Sequence, residues 1–260
     1  AAMTSLDVDG LRAAGHYTSS TTSLAMLLRG LERAYGYGKR APGTSSSHSD
    51  AVVAVDRRGN VAAFLHTINA SDYWGSGLFV DGVSISNAGC WAQWHISQAG
   101  PDRRLPTVLN PTIVTRQGRP VLASSSIGVG VFPDSFFSLV DVLVFGATPQ
   151  GAVDDPAFLQ PDFGTGRVVH QAAWGDFSRA LLDGVRSRGF SVNEIYDDAW
   201  RYAGQWIGIS IDAATGVLSG ATRDEWNGLA MVQECRGCIR RPTGRRGPPP
   251  PDTSRAGSDD

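Results

Sequence analysis

Residues 49–68 read SDAVVAVDRRGNVAAFLHTI. Ala51 to Val55 is a continuous apolar run rich in β-branched valine, and Val61 to Ile68 is a second, largely apolar run. Asp56 to Asn60, between them, is polar and contains a glycine, which is typical of a turn. The stretch therefore predicts a β-hairpin whose first strand begins directly at Ser49.

The sequence upstream of this hairpin predicts a helix followed by a loop. Leucines recur at helical spacing from Leu24, so Thr18 to Tyr35 is expected to be a helix, capped by Ser23 or a neighbouring Ser or Thr. Gly36 to Ser47 is rich in Gly, Pro and Ser and predicts an exposed loop. Ser49 is thus expected to lie between an accessible loop and a strand.

Downstream of the hairpin, short strands alternate with helices. Further strands are expected at Gly77–Val83, Pro111–Arg116, Pro120–Ser124, Trp206–Ile211 and Val217–Ala221. Helices are expected at Pro133–Gly146, Pro149–Val153 and Phe177–Arg188. Hairpins, then helices, then another hairpin predict an α+β fold in which antiparallel sheet is covered by helices.

Composition narrows the class of protein. Of the 260 residues, 42% are hydrophobic, which is enough to build a core, and the net charge of −2 gives no basic footprint for nucleic acid. No apolar run reaches the roughly 18 residues that a membrane span needs. The one basic cluster, Arg236 to Arg246, lies in a Pro- and Gly-rich stretch, so residues 233–260 are expected to be a disordered tail. Neither nucleic acid nor membrane is an expected partner.

The cysteines do not predict a metal site. Cys90 stands in an apolar stretch and is most simply a small buried side chain. Cys235 and Cys238 form a CxxC pair, but no second ligand pair follows at zinc-site spacing. No metal and no organic cofactor are therefore expected.

Ser49 fits the chemistry of a nucleophile exposed by chain cleavage. Such a residue uses its own freed α-amine as the base, and the amine has a pKa of about 7.7–8.0. The chemistry needs a hydroxyl that follows an accessible loop and begins a buried strand, with oxyanion donors opposite. Ser49 meets the first two requirements, although a plain loop serine is the commoner explanation of so short a pattern.

Three groups of motifs occur in order between residues 49 and 232. They are Ser49–Asn60 with Thr67–Asn69; Pro111–Val114 with Gly118–Pro120 and Ser126–Gly130; and Phe145–Gly146 with Ala152–Phe158. In order and spacing these motifs resemble the small subunit of gamma-glutamyltransferases, which are N-terminal-nucleophile amidohydrolases. Counting back from Asp56 and Gly59 without gaps places that family's nucleophilic threonine at Ser49.

The resemblance implies a fold and a domain organisation. Gly15 to Thr18 and the helix after them resemble the end of the family's large subunit. The expected fold is the αββα sandwich of N-terminal-nucleophile hydrolases, incomplete because most of the large subunit is absent. Residues 1–48 would be the end of the large-subunit-like region, with helix and pre-cleavage loop, and residues 49–232 the small-subunit-like catalytic region. A large-subunit region is an expected partner. The compartment stays open: the family is often periplasmic or extracellular.

The resemblance also implies site residues. Self-cleavage between His48 and Ser49 would free Ser49 to attack an amide carbonyl, and water or an amine acceptor would resolve the acyl-enzyme. The Thr67 hydroxyl would contact the nucleophile, and the backbone N–H groups of Gly128 and Val129 would form the oxyanion hole. Substrate contacts are implied at Asn69, Asn87 and Thr107.

Plainer interpretations remain beside these roles. Thr67 also suits an ordinary strand, and Asn69 an ordinary turn. Ser47 and Thr44 are alternative nucleophiles. Surface or packing roles suit two histidines better than catalysis: His48 would leave with the upstream fragment, and His66 points to the opposite strand face from its neighbour.

The sequence departs from the family where the glutamyl group would bind. The acidic side chains that hold its α-amino group are absent from Ile85 to Trp91, and an unpaired buried ammonium costs several kcal/mol. This departure argues against glutathione and favours a less polar amide, contacted by Trp74, Trp91 and Trp94. The competing hypothesis is a truncated or degenerate, non-catalytic relative. A sugar or peptide binding module that uses the tryptophans has no supporting motif.

Overall fold

The β1–β2 hairpin forms as the sequence predicts. In the computed structural model, β1 (Ser49–Val55) pairs antiparallel with β2 (Val61–Thr67), in a register that joins Ser49 to Thr67 and Val55 to Val61. Burial alternates along both strands, because successive side chains point to opposite faces. The structure describes residues 3–37, 49–67, 78–84, 96–104, 109–164, 167–223 and 228–230. The predicted pre-cleavage loop from residue 38 and the predicted tail lie outside these residues.

A second, four-stranded antiparallel sheet has the order β11-β10-β6-β5. Its strands are β5 (Thr112–Arg116), β6 (Arg119–Gly128), β10 (Gly204–Ile211) and β11 (Leu218–Thr222). All four were predicted, but β6 runs four residues beyond its predicted end at Ser124, because β10 supplies partners as far as Gly128. The β1–β2 hairpin packs on this sheet, with β1 against β6 and β10 and β2 against β5 and β6.

Helices cover the sheet. They are α3 (Val131–Val140) and α4 (Pro149–Asp154), which contact β6, β10 and β11. The buried side chains of Leu122, Ala152 and Trp206 fill the space between helices and sheet. The predicted helix Pro133–Gly146 proves to be two elements, since α3 passes at Asp141 into a π-helical turn, Asp141–Phe145, that ends at left-handed Gly146.

A third sheet was not predicted. It comprises β7 (Leu159–Asp162), β8 (Val169–Ala173) and β9 (Ser191–Ile195), and β8 pairs parallel with β9 across the crossover helix α5 (Arg179–Arg186). The sequence predicted antiparallel sheet, and the parallel pairing of β8 with β9 is an addition that it did not predict. The predicted strand Gly77–Val83 was wrong, because Asp81 and Gly82 turn with positive φ between β3 (Phe79–Val80) and β4 (Val83–Ser84).

The segment upstream of Ser49 is part of the main core. It contains α1 (Val8–Ala14), which the sequence did not predict, and α2 (Thr21–Tyr37), whose cap is Ser20, a neighbour of the expected Ser23. The core joins residues of this segment to residues far downstream: Leu11, Tyr17, Leu24, Leu27, Leu28 and Leu31 pack with Phe136, Phe137, Val140, Phe158, Leu182 and Val185. The described residues belong to one compact unit, residues 1–230, and within them no helix has the length and apolarity to cross a membrane.

Candidate active site

Ser49 and Thr67 lie side by side. Ser49 is the first residue of β1 and Thr67 the last of β2, and the two are direct cross-strand partners. Both side chains are partly buried, on the face that also buries Val53 and Leu65. Directly opposed residues of an antiparallel pair have Cβ atoms about 4.5–5.5 Å apart, which is within reach of a contact between two hydroxyls.

His66 does not share this face. It pairs with Asp50 across the hairpin, its side chain is exposed, and its Nδ1 atom lies 3.9 Å from Asp50 Oδ2. The prediction that His66 points away from Thr67 is confirmed. An exposed pair at this distance contributes little to stability and is open to solvent rather than to the Ser49 face.

The backbone at Gly128 and Val129 turns sharply out of β6. Gly128 has φ of 90°, and a Cβ atom added there would lie 2.7 Å from the Ala203 carbonyl oxygen, so glycine is required on both counts. Two residues later, the Gly130 N–H donates to Ala203 O at 3.0 Å, which holds the backbone of Gly130 against residue 203. Between them, the Val129 N–H has no hydrogen-bond partner within the described part of the chain. This donor is free to bind an anionic oxygen.

A buried carboxylate holds the end of β6. Ser126 Oγ donates to Asp134 Oδ2 at 2.9 Å, and Arg223 Nε donates to Asp134 Oδ1 at 3.1 Å. Arg223 also donates to the Val153 carbonyl at 2.8 Å. Burial raises the pKa of Asp134, while the Arg223 charge and the Ser126 hydrogen bond oppose that rise. The network ties β6, α3, α4 and the end of β11 together just before Gly128.

Asn110 completes the support of β6. Its Oδ1 atom accepts from Ser126 N–H at 3.1 Å, in place of a strand partner, because β5 begins only at Thr112. Its Nδ2 donates to the Ser135 hydroxyl. Sequence reasoning missed both Asn110 and Asp134. The available signals were an acid in the first turn of a largely apolar helix pattern and an asparagine directly before a proline and a strand.

The structure brings only some of the predicted residues together. Ser49 pairs with Thr67 on a hairpin that packs against β6, the strand that ends at Gly128. Outside the described residues lie His48, Asn69, Asn87 and Thr107, together with Thr44, Ser47, Cys90, Cys235, Cys238, Trp74, Trp91 and Trp94. Within the described chain, the one group of side chains able to hold a metal ion is His16, Asp141 and Asp155, which includes no predicted catalytic residue.

Comparisons of the sequence and of the structure with known proteins find relatives of one kind. A glutathione hydrolase proenzyme from Pseudomonas sp. (strain A14) is 26% identical over 122 residues, covering 41% of this chain and 21% of that protein. The chain therefore spans about a fifth of the length of this curated relative. Among solved structures, a gamma-glutamyltranspeptidase from Pseudomonas nitroreducens complexed with L-DON is 20% identical with a TM-score of 0.52, covering 73% of this chain and all of that chain.

A cephalosporin acylase from Bacillus halodurans is 16% identical with a TM-score of 0.58, covering 83% of this chain and 46% of that one. These structural likenesses confirm the α+β fold of N-terminal-nucleophile hydrolases. The sequence model of the family described as Gamma-glutamyltranspeptidase matches residues 18–230, which is most of the chain. The chain belongs to the gamma-glutamyltranspeptidase family.

Proposed function

We propose that this protein is an amidohydrolase and acyltransferase that cleaves its own chain between His48 and Ser49. Ser49 then cleaves an amide of a gamma-glutamyl or related acyl group. The observation that carries the proposal is the position of Ser49: in a chain of this family, it opens β1 and faces Thr67 across the hairpin. The strand holds the Ser49 side chain in place, and after cleavage the backbone nitrogen of Ser49 becomes the new N-terminus.

Self-cleavage and turnover use the same hydroxyl. In the first reaction, Ser49 Oγ attacks the His48 carbonyl carbon, the peptide bond breaks to leave an ester, and water hydrolyses that ester. The products are a carboxylate on His48 and a free α-amine on Ser49. An α-amine ordinarily has a pKa of about 7.7–8.0, so in this proposal the freed amine takes the Ser49 hydroxyl proton at neutral pH and passes it to the leaving amine of a substrate.

The N–H groups at the end of β6 supply the oxyanion donors in this proposal. The Val129 N–H has no partner among the described residues, and the Asp134 and Asn110 networks fix the strand that leads to it. A donor preorganised toward developing negative charge is worth about 2.7–4 kcal/mol in analogous hydrolases. Thr67 is assigned to orient the Ser49 hydroxyl.

The substrate is proposed to be a less polar amide than glutathione. The acidic side chains that would hold a glutamyl ammonium are absent from residues 85–91, where Ile85, Cys90 and Trp91 stand. A cephalosporin acylase shares the fold, which is compatible with acyl groups of this kind. Water or an amine is the proposed acceptor, and a region resembling the large subunit is the proposed partner. Turnover of acyl anilides should exceed that of gamma-glutamyl anilide, and equal rates would contradict this choice.

Mass spectrometry and N-terminal sequencing test the self-cleavage. Protein expressed from its complete gene is incubated at neutral pH beside the Ser49→Ala and Ser47→Ala variants. We expect a new N-terminus at Ser49 in the parent and in Ser47→Ala, and an intact chain in Ser49→Ala. Loss of cleavage in Ser47→Ala, with cleavage retained in Ser49→Ala, would identify Ser47 as the nucleophile. A parent chain that stays intact would favour the non-catalytic relative.

A further inference from the structure

A second polar cluster lies where the N-terminal segment meets the π-helical turn. His16 Nε2 lies 3.0 Å from Asp141 Oδ1 and 3.7 Å from Asp155 Oδ2. One ligand atom from each of the three side chains lies within 4.8 Å of the other two. Ligand atoms bonded at about 2.0–2.2 Å to one metal ion are separated by roughly 3.0–3.5 Å, so the cluster is already close to the size of a coordination sphere.

Each of two ligand side chains is oriented by a hydroxyl behind it. Thr18 Oγ1 lies 2.8 Å from His16 Nδ1, and the Thr18 N–H donates to the same nitrogen at 3.4 Å. Without an ion, His16 Nε2 is hydrogen-bonded to Asp141 Oδ1 at 3.0 Å. With an ion bound, the ring proton would lie on Nδ1 and be donated to Thr18 Oγ1, which leaves the Nε2 lone pair for the ion. The Tyr17 hydroxyl donates to Asp141 Oδ2 at 2.8 Å and leaves Oδ1 facing His16. Hydrogen bonds of this kind commonly orient metal ligands.

Two carboxylates, one of them buried, converge on the His16 imidazole. The Asp141 side chain is 1% exposed and that of Asp155 is 33% exposed, and both face the same imidazole. Arg223 donates to the backbone carbonyl of Asp155 at 3.3 Å, but its Nε is bound to the Asp134 carboxylate at 3.1 Å, so its charge is already paired. Two neighbouring carboxylates, one of them buried, are stabilised by a cation between them.

We propose that His16, Asp141 and Asp155 bind a divalent transition-metal ion, with Zn²⁺ preferred, through one imidazole nitrogen and two carboxylate oxygens. Imidazole selects zinc-like ions over Mg²⁺, which takes oxygen ligands. Water would complete the coordination, because the side chains of His16 and Asp155 are partly exposed to solvent. The ion would connect the segment upstream of Ser49 to residues far downstream, so its role is structural and does not depend on the proposed catalysis.

Isothermal titration calorimetry with Zn²⁺ tests the site. The full chain is used without a tag, after chelator treatment and dialysis, and with Cys235→Ser and Cys238→Ser so that the CxxC pair cannot bind the ion. We expect one ion per chain, at least tenfold weaker binding in Asp155→Asn, and much weaker binding of Mg²⁺ than of Zn²⁺. Asp154→Asn is the matched control, since it makes the same charge change one residue away on a carboxylate bound by Gln150 at 2.8 Å.

Thermal unfolding gives a second measurement on the same proteins. Zn²⁺ should raise the unfolding temperature of the parent and of Asp154→Asn, and should leave that of Asp155→Asn unchanged. If Asp155→Asn does not fold, His16→Gln replaces it, with the same loss expected. The proposal is overturned if the parent binds no Zn²⁺, or if Asp155→Asn and His16→Gln bind it as tightly as the parent. Either result would leave the cluster as a hydrogen-bonded structural group.

Discussion

At the scale of single residues, Asp134 contributes more to the fold than its position in an apolar helix suggests. Its carboxylate is almost fully buried and bonds both Ser126 and Arg223. Removing one partner of a buried pair leaves the other uncompensated, which is far more costly than losing a surface pair. The end of β6, where Gly128 turns the chain, depends on this network.

Asp134→Ala should lower the free energy of unfolding by about 3–5 kcal/mol, because the Arg223 guanidinium loses its buried counter-charge. Urea denaturation followed by circular dichroism measures the change. The control is Asp183→Ala, which removes an exposed i,i+3 pair with Arg186 at 2.9 Å and should cost less than about 1 kcal/mol. Equal losses in the two variants would contradict the assigned role of Asp134.

Gly128 allows a second test at this scale. Gly128→Ala meets both a positive φ of 90° and the Ala203 carbonyl, whereas Gly118→Ala, at φ of 77°, has open space around the new Cβ. The positive φ alone costs about 1–2 kcal/mol. We expect Gly128→Ala to lose at least about 1 kcal/mol more than Gly118→Ala in the same urea measurement, and to lose self-cleavage while Gly118→Ala retains it.

At the scale of elements, the β1–β2 turn shows how a local motif sets a register. Asp56 accepts hydrogen bonds from the Asn60 side chain at 2.7 Å, from the Asn60 N–H at 2.9 Å and from the Arg58 N–H at 2.8 Å. This closed turn aligns Val55 with Val61. Because side chains alternate along a strand, that register brings Ser49 opposite Thr67 on the inner face.

The turn should weaken in acid. Hydrogen bonds from Asn60 lower the pKa of Asp56 below the ordinary aspartate value; the bond from the Asn60 side chain has the larger effect, and the bond from its backbone N–H the next. A carboxylate with a lowered folded pKa stabilises the turn above the unfolded pKa, and that stabilisation is lost as pH falls through the folded value. NMR titration of the Asp56 carboxyl carbon should show the low pKa, and Asn60→Ala should raise it. An unchanged Asp56 pKa in Asn60→Ala would contradict the role given to the Asn60 side chain.

The elements that sequence patterns found are those with local signals. The hairpin β1–β2 and the strands β5, β6, β10 and β11 have turn residues between apolar runs, and each strand has one partner close in sequence. The strands β7, β8 and β9 lack that signal, because β8 and β9 pair in parallel across a helix. The π-helical turn after α3 likewise has the same apolar spacing as the helix it continues.

At the scale of the whole molecule, the segment before Ser49 is inseparable from the rest of the core. The α2 leucines share one core with residues of α3 and α5, and Tyr17 donates to Asp141 from the opposite side of the predicted cut. Cutting one peptide bond in the loop removes none of these contacts. The upstream fragment is therefore expected to stay bound after self-cleavage.

Gel filtration of the cleaved protein should show the two fragments in one peak. Leu28→Ala should weaken their association by about 2–5 kcal/mol, because Leu28 is fully buried in the shared core. Arg33→Ala, at an exposed position of the same helix, is the control and should leave the peak unchanged. Separate elution of the fragments of the parent protein would contradict this assembly.

The sequence by itself determined the hairpin and the position of Ser49 at the start of β1, because these depend on turns and apolar runs within about twenty residues. It also determined the family and the α+β class, because these depend on the order and spacing of motifs along the chain. Only the tertiary structure decided which distant side chains meet: Asp134 with Arg223, and His16 with Asp141 and Asp155. Such contacts join residues far apart in the chain, and no local spacing encodes them. The packing of the apolar helices and sheets brings them together, and the buried polar atoms are then satisfied by the partners that this packing provides.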